Sequence, residues 1–410
     1  MVTIRQLLIF LLVTQLTSAC PEKCFCNSKI VDCRSIALQS VPRDLDPDTE
    51  TLFLDENSLI RIPPNAFKNL QNLSYFGLSS NHLLLQNYTF ELLLKLRALD
   101  LSGNHLLELQ ADLFGNLPNL TWLNLANSNL KILHGGSLRP LAKLTYLDLS
   151  NNELTLLEET FKHSPQLDTL FLNDNQLKEL PATIFDRLFL LEVLDLSNNE
   201  MSSLPPQFFR NQHKLTDLRL DHNRLKNLTA TLFAHQRNVQ YLTISRNSIA
   251  SFSPQLFDNL TRLSKLDLSN NSLTHLPDNF LSSLGELQML NLSDNFIGQL
   301  VVDIFRYNPK LAYLHLDSNN LSSLPVFEGL PQLEELTLSF NRLVGFPRGF
   351  ADNLVMLKCL QVTDNLIRQW DTGVFRNIAT VLLKNNPICL TEVESAPVQS
   401  TNIDCRKKHC

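Results

Sequence analysis

The chain has 410 residues, a formal net charge of −6 and a sequence pI near 5.9. Proteins that bind DNA or RNA normally present a strongly basic face, so this charge argues against a nucleic-acid partner. Glycine is scarce, at 11 residues, whereas leucine is abundant and there are 24 phenylalanines. This excess of two apolar residue types indicates one packing motif that is used repeatedly, and a repeating chain does not follow the usual relation between length and domain number.

Residues 1–19 are predicted to be a signal peptide. Arg5 supplies a positive charge, the apolar stretch from Leu7 to Val13 is too short to span a bilayer, and small residues at 17–19 precede Cys20. A bacterial lipoprotein signal is the rival interpretation of this junction. No later stretch of the sequence is apolar for the roughly 18 residues that a membrane span needs. The sequence therefore predicts a secreted, extracellular chain without a membrane span.

A repeat with the pattern LxxLxLxxNxL runs through most of the chain, as in LDLSGNHL from residue 99 and LDLSNNEL from residue 147. An amide at the turn after each LxL strand can both donate and accept hydrogen bonds, and can therefore satisfy buried backbone groups of adjacent coils. Ser128 replaces the asparagine in one repeat, and its shorter side chain should weaken this ladder locally. The asparagines, mostly 23 or 24 residues apart, are Asn57, Asn81, Asn104, Asn152, Asn175, Asn199, Asn223, Asn247, Asn271, Asn295, Asn319, Asn341, Asn365 and Asn386.

This periodicity resembles the extracellular form of the leucine-rich-repeat family, from Cys20 to about Asn386. The resemblance implies an α/β solenoid shaped as a curved horseshoe, with a parallel β-sheet on the concave face and an irregular, short-helical convex side. The physics of the repeat agrees, because a single LxL strand cannot bury its apolar face alone and must stack on equivalent strands. About fifteen repeats are expected between residues 49 and 386.

A second apolar column follows each turn and is expected to fill the convex side of the solenoid. Prolines after an apolar residue, such as Pro181 and Pro205, favour extended or irregular chain there over long helices. The members of the column are Phe67, Phe90, Phe114, Phe161, Phe185, Phe209, Phe233, Phe257, Phe305 and Phe375, with Leu138 and Leu281 as substitutes.

Residues 20–48 are predicted to be an N-terminal cap. The spacing C-x3-C-x-C-x6-C of Cys20, Cys24, Cys26 and Cys33 resembles the N-terminal cysteine cap of extracellular leucine-rich-repeat proteins. That resemblance implies the pairs Cys20–Cys26 and Cys24–Cys33, which suits an oxidising compartment. A zinc site made of the four thiolates is the alternative.

Residues 387–410 depart from the C-terminal flank that is usual in the family, and we expect an abbreviated cap there. Cys389 is predicted to pair with Cys405 or Cys410. Cys359 occupies a strand position that is predicted to face outward, where it is free, paired to a tail cysteine or open to an intermolecular bond. The connectivity cannot be chosen from the sequence.

Ligand choice is expected to depend on the solvent-facing strand residues of the concave side. Tyrosine and tryptophan dominate binding hot spots. The aspartates have a structural alternative, because LDLSNN is the commonest sequence of this repeat. A solvent-facing aromatic ring such as that of Trp122 serves no obvious packing need. We predict a binding site in coils two to six, formed by Tyr75, Asp100, Trp122, Tyr146, Asp148 and Phe171.

Glycosylation sequons mark exposed surface in a secreted chain. Asn291 falls on a concave strand and Asn270 lies at its edge, so glycans there would obstruct the C-terminal half of the concave face. The predicted glycosylation sites are Asn72, Asn87, Asn119, Asn227, Asn259, Asn270, Asn291 and Asn320.

Catalytic motifs do not appear in the sequence: there is no phosphate-cradling glycine loop, no HExxH and no paired CxxC. We therefore expect neither an enzyme nor a metal or other cofactor. The family resemblance implies a secreted glycoprotein that binds a protein partner, or a glycan, on its concave face, as plasma and matrix members of the family do. The alternative is a soluble or truncated recognition receptor of innate-immune or cell-adhesion type, which the divergent C-terminal cap would suit.

Overall fold

The computed structural model describes residues 20–87, 89–109, 113–115, 117–134, 136–369, 375, 378–391 and 403–405. The chain divides into two compact units, Met1–Leu154 and Thr155–Cys410. The predicted signal peptide of residues 1–19 lies outside the described residues.

The first unit is built on a sheet of short strands that is parallel after its first strand pair. β1 and β2 pair antiparallel, and β2 then pairs in parallel with β3, followed by β4, β5, β7 and β9. β6 and β8 form a separate two-stranded parallel sheet. The strands are β1 Phe25–Asn27, β2 Ile30–Asp32, β3 Thr51–Phe53, β4 Tyr75–Gly77, β5 Ala98–Asp100, β6 Glu108–Leu109, β7 Trp122–Asn124, β8 Ile132–Leu133 and β9 Tyr146–Asp148.

The second unit repeats this arrangement, and each strand from β10 to β20 pairs in parallel with the next. Both units are therefore parallel-strand solenoids, as the family resemblance implied. The strands are β10 Thr169–Phe171, β11 Val193–Asp195, β12 Asp217–Arg219, β13 Tyr241–Thr243, β14 Lys265–Asp267, β15 Met289–Asn291, β16 Tyr313–His315, β17 Glu335–Thr337, β18 Cys359–Gln361, β19 Thr380–Leu382 and β20 Ile403–Asp404.

The register of the strands places equivalent repeat positions side by side. Leu194 pairs with Leu218, which pairs with Leu242, and all three are 0% exposed. Because successive residues of a strand point to opposite faces, the residues on either side of each central leucine face away from the core. The residues of the outer sheet face consequently do not form part of the core, and they can vary from repeat to repeat.

The remainder of each coil returns through turns rather than helices. Among the described residues, the helices are one short 3-10 helix, Pro254–Phe257, and one α-helical turn, Ile388–Thr391. Elsewhere, isolated turns replace the short helices that were expected, such as the one closed by the Leu70 amide on the Phe67 carbonyl, 2.9 Å away. The prediction of irregular chain is confirmed, but the amount of helix was overestimated.

The predicted phenylalanine column is buried throughout, and its leucine substitutes Leu138 and Leu281 are 0% exposed. Sequence reasoning missed two members, since Phe327 packs against Phe305 with ring centroids 5.5 Å apart and against Phe350 at 5.7 Å. These two rings continue the column between Phe305 and Phe375.

The asparagine ladder satisfies backbone groups of adjacent coils, as Asn199 illustrates. Its Nδ2 donates to the carbonyl oxygens of Leu196 at 3.2 Å, Ser197 at 3.1 Å and, one coil earlier, Leu172 at 2.9 Å. Its Oδ1 accepts from the Leu177 amide at 3.0 Å. The residue is 7% exposed, so these backbone groups would otherwise be buried without partners.

Ser128 changes this pattern in the first unit. Its Oγ donates to the carbonyl oxygens of Leu101 at 3.3 Å and Ala126 at 3.1 Å. In other repeats the equivalent backbone amide donates to the side-chain oxygen of a ladder asparagine. Here the Leu106 amide donates instead to the backbone oxygen of Ser128 at 3.0 Å. The serine thus leaves the ladder with one side-chain hydrogen bond fewer, which agrees with the prediction that its shorter side chain weakens the ladder locally.

Disulfides close the N-terminal end of the first unit. Cys20 is bonded to Cys26 and Cys24 to Cys33, the pairing that the family resemblance implied. With all four sulfurs in disulfides, the alternative of a four-thiolate zinc site is wrong.

Two features of the C-terminal region were open in the sequence. Cys389 is bonded to Cys405, which is one of its two expected partners, and Cys410 lies outside the described residues. Cys359 was expected to face solvent, but it is only 8% exposed and is disulfide-bonded. Its strand position does belong to the outer sheet face, beside Glu335.

Candidate functional site

The outer sheet face of the first unit is dominated by aromatic rings. Trp122 and Tyr146 are register neighbours on β7 and β9, and their rings stack with centroids 5.2 Å apart and planes 15° apart. The Tyr146 hydroxyl donates to Asp148 Oδ2 at 3.4 Å. Burial, followed by the charge of Asp148, raises the pKa of Tyr146 to about 12, so this hydroxyl remains a donor at neutral pH. We call the surface formed by Tyr75, Asp100, Trp122, Tyr146 and Asp148 the aromatic face.

Tyr75 lies on β4 of the same face and packs towards the N-terminal cap. Its ring centroid is 5.2 Å from that of Phe53, and the Arg34 guanidinium lies 4.5 Å above the Phe53 ring. Arg34 is held in turn by Asp32, since its Nε donates to Asp32 Oδ1 at 2.9 Å. Burial raises the pKa of Tyr75, and the nearby charge of Asp100 acts in the same direction.

The aspartates of the aromatic face also shape the turns that follow their strands. Asp100 Oδ1 accepts from the Ser102 amide at 2.9 Å and from its hydroxyl at 2.6 Å. Asp148 Oδ1 accepts in the same way from the Ser150 amide at 2.9 Å. One carboxylate oxygen of each aspartate therefore stabilises the turn of its own repeat. This structural role explains why aspartate recurs in the LDLS sequence without any ligand.

A glycine, Gly77, packs closely against a buried carboxyl group beside this face. A Cβ on Gly77 would clash with the carboxyl group of Asp55, so any other residue at this position would displace the Asp55 side chain. Asp55 is 8% exposed and accepts from the amide and hydroxyl of Ser79, both at 2.8 Å. Burial raises the pKa of Asp55 above the usual range of an aspartate. The residue adds negative charge under the aromatic face.

Five of the six residues predicted to bind the ligand thus lie on one sheet face of the first unit. The sixth, Phe171, is half-buried at the end of β10 in the second unit. The predicted set is therefore divided between the two units.

The second unit presents a different outer surface, which sequence reasoning missed. Arg219 lies 3.2 Å from Asp217 and 3.6 Å from Asp195, and the Lys265 ammonium lies 5.5 Å from the centroid of the Tyr241 ring. We call these five residues the charged face. They line an open cavity of about 450 Å³. Burial raises the pKa of Asp195, although Ser197 and Arg219 partly oppose that shift.

The predicted glycosylation site Asn291 also lines this cavity, at the end of β15. Its Oδ1 accepts from the Ser293 amide at 3.1 Å. Asn270 is exposed in a turn with φ +52°. Asn119 lies away from the strands, and its Nδ2 donates to the Leu94 carbonyl at 2.9 Å. Glycan attachment at these positions stays a prediction.

A third surface is apolar and shares no residue with the aromatic face or the charged face. Leu84 and Leu107 are each 54% exposed and Ile132 is 49% exposed. They line a groove of about 420 Å³ beside β6 and β8. The signal for it in the sequence is an apolar residue shortly after the asparagine turn in successive repeats.

Neither metal nor membrane features stand out in the part of the chain that the structure describes. It contains no group of three or more histidine, cysteine, aspartate or glutamate residues arranged to hold a metal ion. None of its helices has the length and apolar character that crossing a bilayer would require. The His315 Nδ1 lies 3.2 Å from the Thr337 hydroxyl, within the turn network rather than in a catalytic constellation.

Comparison with known families matches the family described as Leucine rich repeat. The matched segments are residues 94–154, 165–225, 213–273, 237–297, 261–321 and 286–343, which together cover more than half of the chain. They include every aspartate and aromatic residue of the aromatic face except Tyr75.

Known proteins similar to this chain include two curated relatives from Homo sapiens. Leucine-rich repeat-containing protein 3B is 42% identical over 67 residues, 16% of this chain and 26% of that protein. Decorin is 44% identical over 54 residues, 13% of this chain and 15% of that protein. The chain thus spans only about a quarter or less of these relatives.

Among solved structures, the glycosylated form of the Toll–Spatzle complex of Drosophila is similar over a longer stretch. The likeness has a TM-score of 0.72 at 26% identity and covers 84% of this chain and 51% of the other. The shared element is the repeating parallel-strand solenoid.

Proposed function

Because this chain belongs to the Leucine rich repeat family, we propose that it is a secreted glycoprotein that binds a protein partner on the aromatic face and performs no catalysis. The family is a protein-binding scaffold. The proposal rests on one observation: the stacked Trp122–Tyr146 pair on an outer sheet face that the core does not need. Rings of this kind are the residues that most often carry binding energy at protein interfaces.

The aromatic face suits a protein partner in three respects. Its rings are already half-buried and held by one another, so little side-chain entropy remains to be lost on binding. The Tyr146 hydroxyl and the carboxylates of Asp100 and Asp148 supply polar groups around the apolar surface. The likeness to Toll, solved in complex with Spatzle, supports a macromolecular rather than a small ligand.

The disulfides and the sequons support an extracellular location for the chain. Disulfides form and persist in oxidising compartments, and they close both the N-terminal cap and the region of Cys389. A predicted signal peptide at residues 1–19 fits the same location.

The first experiment is affinity capture from native extracellular fluid with the glycosylated protein, followed by mass spectrometry and measurement of the affinity for the captured partner. Trp122→Ala combined with Tyr146→Ala should weaken binding by about a hundredfold or more, because each is expected to contribute at least about 1.5 kcal/mol. The double variant removes only outer-face contacts and should remain folded.

The matched control is Tyr241→Ala combined with Tyr313→Ala, since these two tyrosines occupy the same repeat position on the second unit and are each 41% exposed. We expect the control to keep the wild-type affinity. If the control loses binding while the Trp122 and Tyr146 variant retains it, the aromatic face is not the binding surface.

A recognition receptor in soluble or truncated form is the second candidate. It is favoured by the likeness to Toll, of which this chain covers 51%. A longer transcript of the same gene that encodes a membrane span would support the receptor. Recovery of this chain from extracellular fluid in a stoichiometric complex would support the secreted binding protein.

A further inference from the structure

The row of aromatic side chains along the aromatic face is interrupted by one small residue. The register aligns Tyr75 with Ala98, Ala98 with Trp122, and Trp122 with Tyr146. These are the first residues of successive strands, so all four side chains leave the sheet on the same side. Ala98 carries only a methyl group between two large rings.

The rings on either side of Ala98 pack away from it. Tyr75 packs on Phe53, on the side of the cap, whereas Trp122 stacks on Tyr146, on the opposite side. Tyr75 and Trp122 are two strand steps apart, which is about 10 Å at the usual spacing of parallel strands. The result is a slot with an aromatic wall on each side and Ala98 as its floor.

One end of the slot carries a carboxylate. Asp100 leaves the same strand as Ala98, on the same face, two residues later. Its Oδ1 is occupied by Ser102, whereas its Oδ2 has no hydrogen-bond partner among the described residues. The charge of this carboxylate acts on the hydroxyl of Tyr75, which is one wall, and on that of Tyr146, which stacks on Trp122, the other wall. The buried Asp55 is a second carboxyl group nearby, and its pKa is raised in part by the charge of Asp100.

We propose that this slot, formed by Tyr75, Ala98, Trp122 and Asp100, receives an arginine side chain of the protein partner. The inference rests on the proposed function and names the group by which the partner is recognised. A planar guanidinium over Ala98 lies one strand spacing, about 5 Å, from each of the two strands that carry the rings, and cation–π contact extends to about 6 Å from a ring centroid. Its remaining N–H groups reach Asp100 Oδ2, where a charge-assisted hydrogen bond forms.

Other side chains fit this slot less well. A lysine ammonium is a compact, strongly hydrated charge, and it cannot present two flat faces to two rings. A neutral aromatic ring would fill the slot but would leave the Asp100 oxygen without a partner in a desolvated interface. The slot therefore combines the two features that select arginine, a flat aromatic space and a carboxylate at its end.

The test uses the full-length mature protein labelled with 5-fluorotryptophan and a capped Gly-Arg-Gly peptide as the probe. The chain has two tryptophans, and the variant Trp370→Phe identifies the fluorine signal of Trp122. Addition of the peptide at millimolar concentrations should shift the Trp122 signal. The same peptide with citrulline, which is neutral and of nearly the same shape, should give no shift, and the lysine peptide should bind more weakly.

Two variants localise the effect. Ala98→Leu fills the floor of the slot and should abolish the shift, whereas Asp100→Asn should weaken peptide binding by about tenfold or more, because one charge-assisted hydrogen bond is lost. Val193→Leu is the matched control, since Val193 occupies the same strand position in the second unit, and it should bind the peptide as the wild type does.

The arginine proposal is overturned if the citrulline peptide gives the same shift, if Ala98→Leu retains it, or if the arginine peptide gives none. These results are separable from the failure of the proposed function. Partner binding that is lost with Trp122→Ala and Tyr146→Ala but unchanged with Ala98→Leu would leave the aromatic face as the binding surface and remove arginine as its ligand.

Discussion

The outer sheet faces of the two units differ in how their charged groups are satisfied. On the charged face, Arg219 is paired with both Asp217 and Asp195, and Lys265 lies over the Tyr241 ring. On the aromatic face, the largest groups are the stacked rings of Trp122 and Tyr146. The charged groups of the charged face are therefore paired within the chain, whereas the aromatic face leaves apolar area and the Oδ2 of Asp100 for another molecule.

This difference bears on which face is the better docking surface. Exposed ion pairs contribute little to stability, commonly about 0 to 1 kcal/mol, but a partner that covers them must still desolvate them. Aromatic side chains with few rotatable bonds present a large area with a small entropic cost. The aromatic face of the first unit is therefore the better docking surface for the partner.

The largest effect is expected from a glycan placed on the aromatic face. Asn124 ends β7 in the same strand position as Asn291, and Ala126 holds the place of Ser293 in that sequon. Ala126→Ser therefore creates a sequon at Asn124 with a serine that many other repeats carry at this position. Binding of the partner should fall below detection in the fraction that mass spectrometry shows to be glycosylated at Asn124.

Two controls separate the glycan from the substitution. Ala126→Ser together with Asn124→Gln carries the serine without a sequon and should bind almost as well as the wild type. Ser293→Ala removes the natural sequon from the charged face and should leave affinity unchanged. If the glycan at Asn124 is attached and binding persists, the assignment of the partner to the first unit is wrong.

An effect of intermediate size is expected in the asparagine ladder, where the units differ at Ser128. Asn199→Ala should lower the free energy of unfolding by about 3 kcal/mol, because the Leu172 carbonyl and the Leu177 amide both lose a buried partner. Ser128→Ala should cost only about 1 kcal/mol, since its Oγ makes two longer bonds. Urea denaturation followed by circular dichroism measures both values. If both variants lose the same free energy of unfolding, the asparagine side chain stabilises the ladder no more than the serine does.

The smallest effect concerns the pH dependence of stability on the charged face. Burial raises the pKa of Asp195, so the folded chain holds this proton at a pH where the unfolded chain has released it. The cost of the buried charge is therefore fully present at neutral pH and disappears as the pH falls through the folded pKa. Asp195→Asn should raise the Tm relative to the wild type by at most about 2 °C at pH 7, and by less near pH 4.

Thermal unfolding of the wild type and Asp195→Asn at both pH values tests this sign. A larger benefit of the substitution at acidic pH would mean that Arg219 and Ser197 outweigh burial at this site. Asp217→Asn is a suitable control, because Asp217 is the more exposed partner of Arg219.

Much of the fold could be predicted from the sequence because one short pattern carries it. The recurrence of LxL and asparagine gave the strands, their parallel pairing and the buried amides, and ten of the column's phenylalanines were found by position. Phe327 was missed because it lies in a shortened repeat, only eight residues after Asn319, whereas Phe350 was missed although it follows Asn341 by nine residues, as Phe90 follows Asn81. The aromatic and carboxylate residues of the first-unit face could likewise be located by repeat position.

What depends on packing between coils could not be predicted. The pattern placed Cys359 on the outer face, but it did not show that this residue is buried and disulfide-bonded. It placed Tyr75 and Trp122 on one face, but not the opposite directions in which their rings pack. It did not reveal that Arg219 reaches two aspartates.

The sequence by itself determined the repeating coil, the face on which each residue lies and the ladder of buried amides, because these follow from the two-residue alternation of a strand and from the constant length of the repeat. Only the tertiary structure decided the stack of Trp122 on Tyr146, the slot over Ala98 and the partners of each charged group. The reason is that side chains from neighbouring coils meet at distances set by their rotamers, and the order of residues along one chain does not encode those rotamers directly.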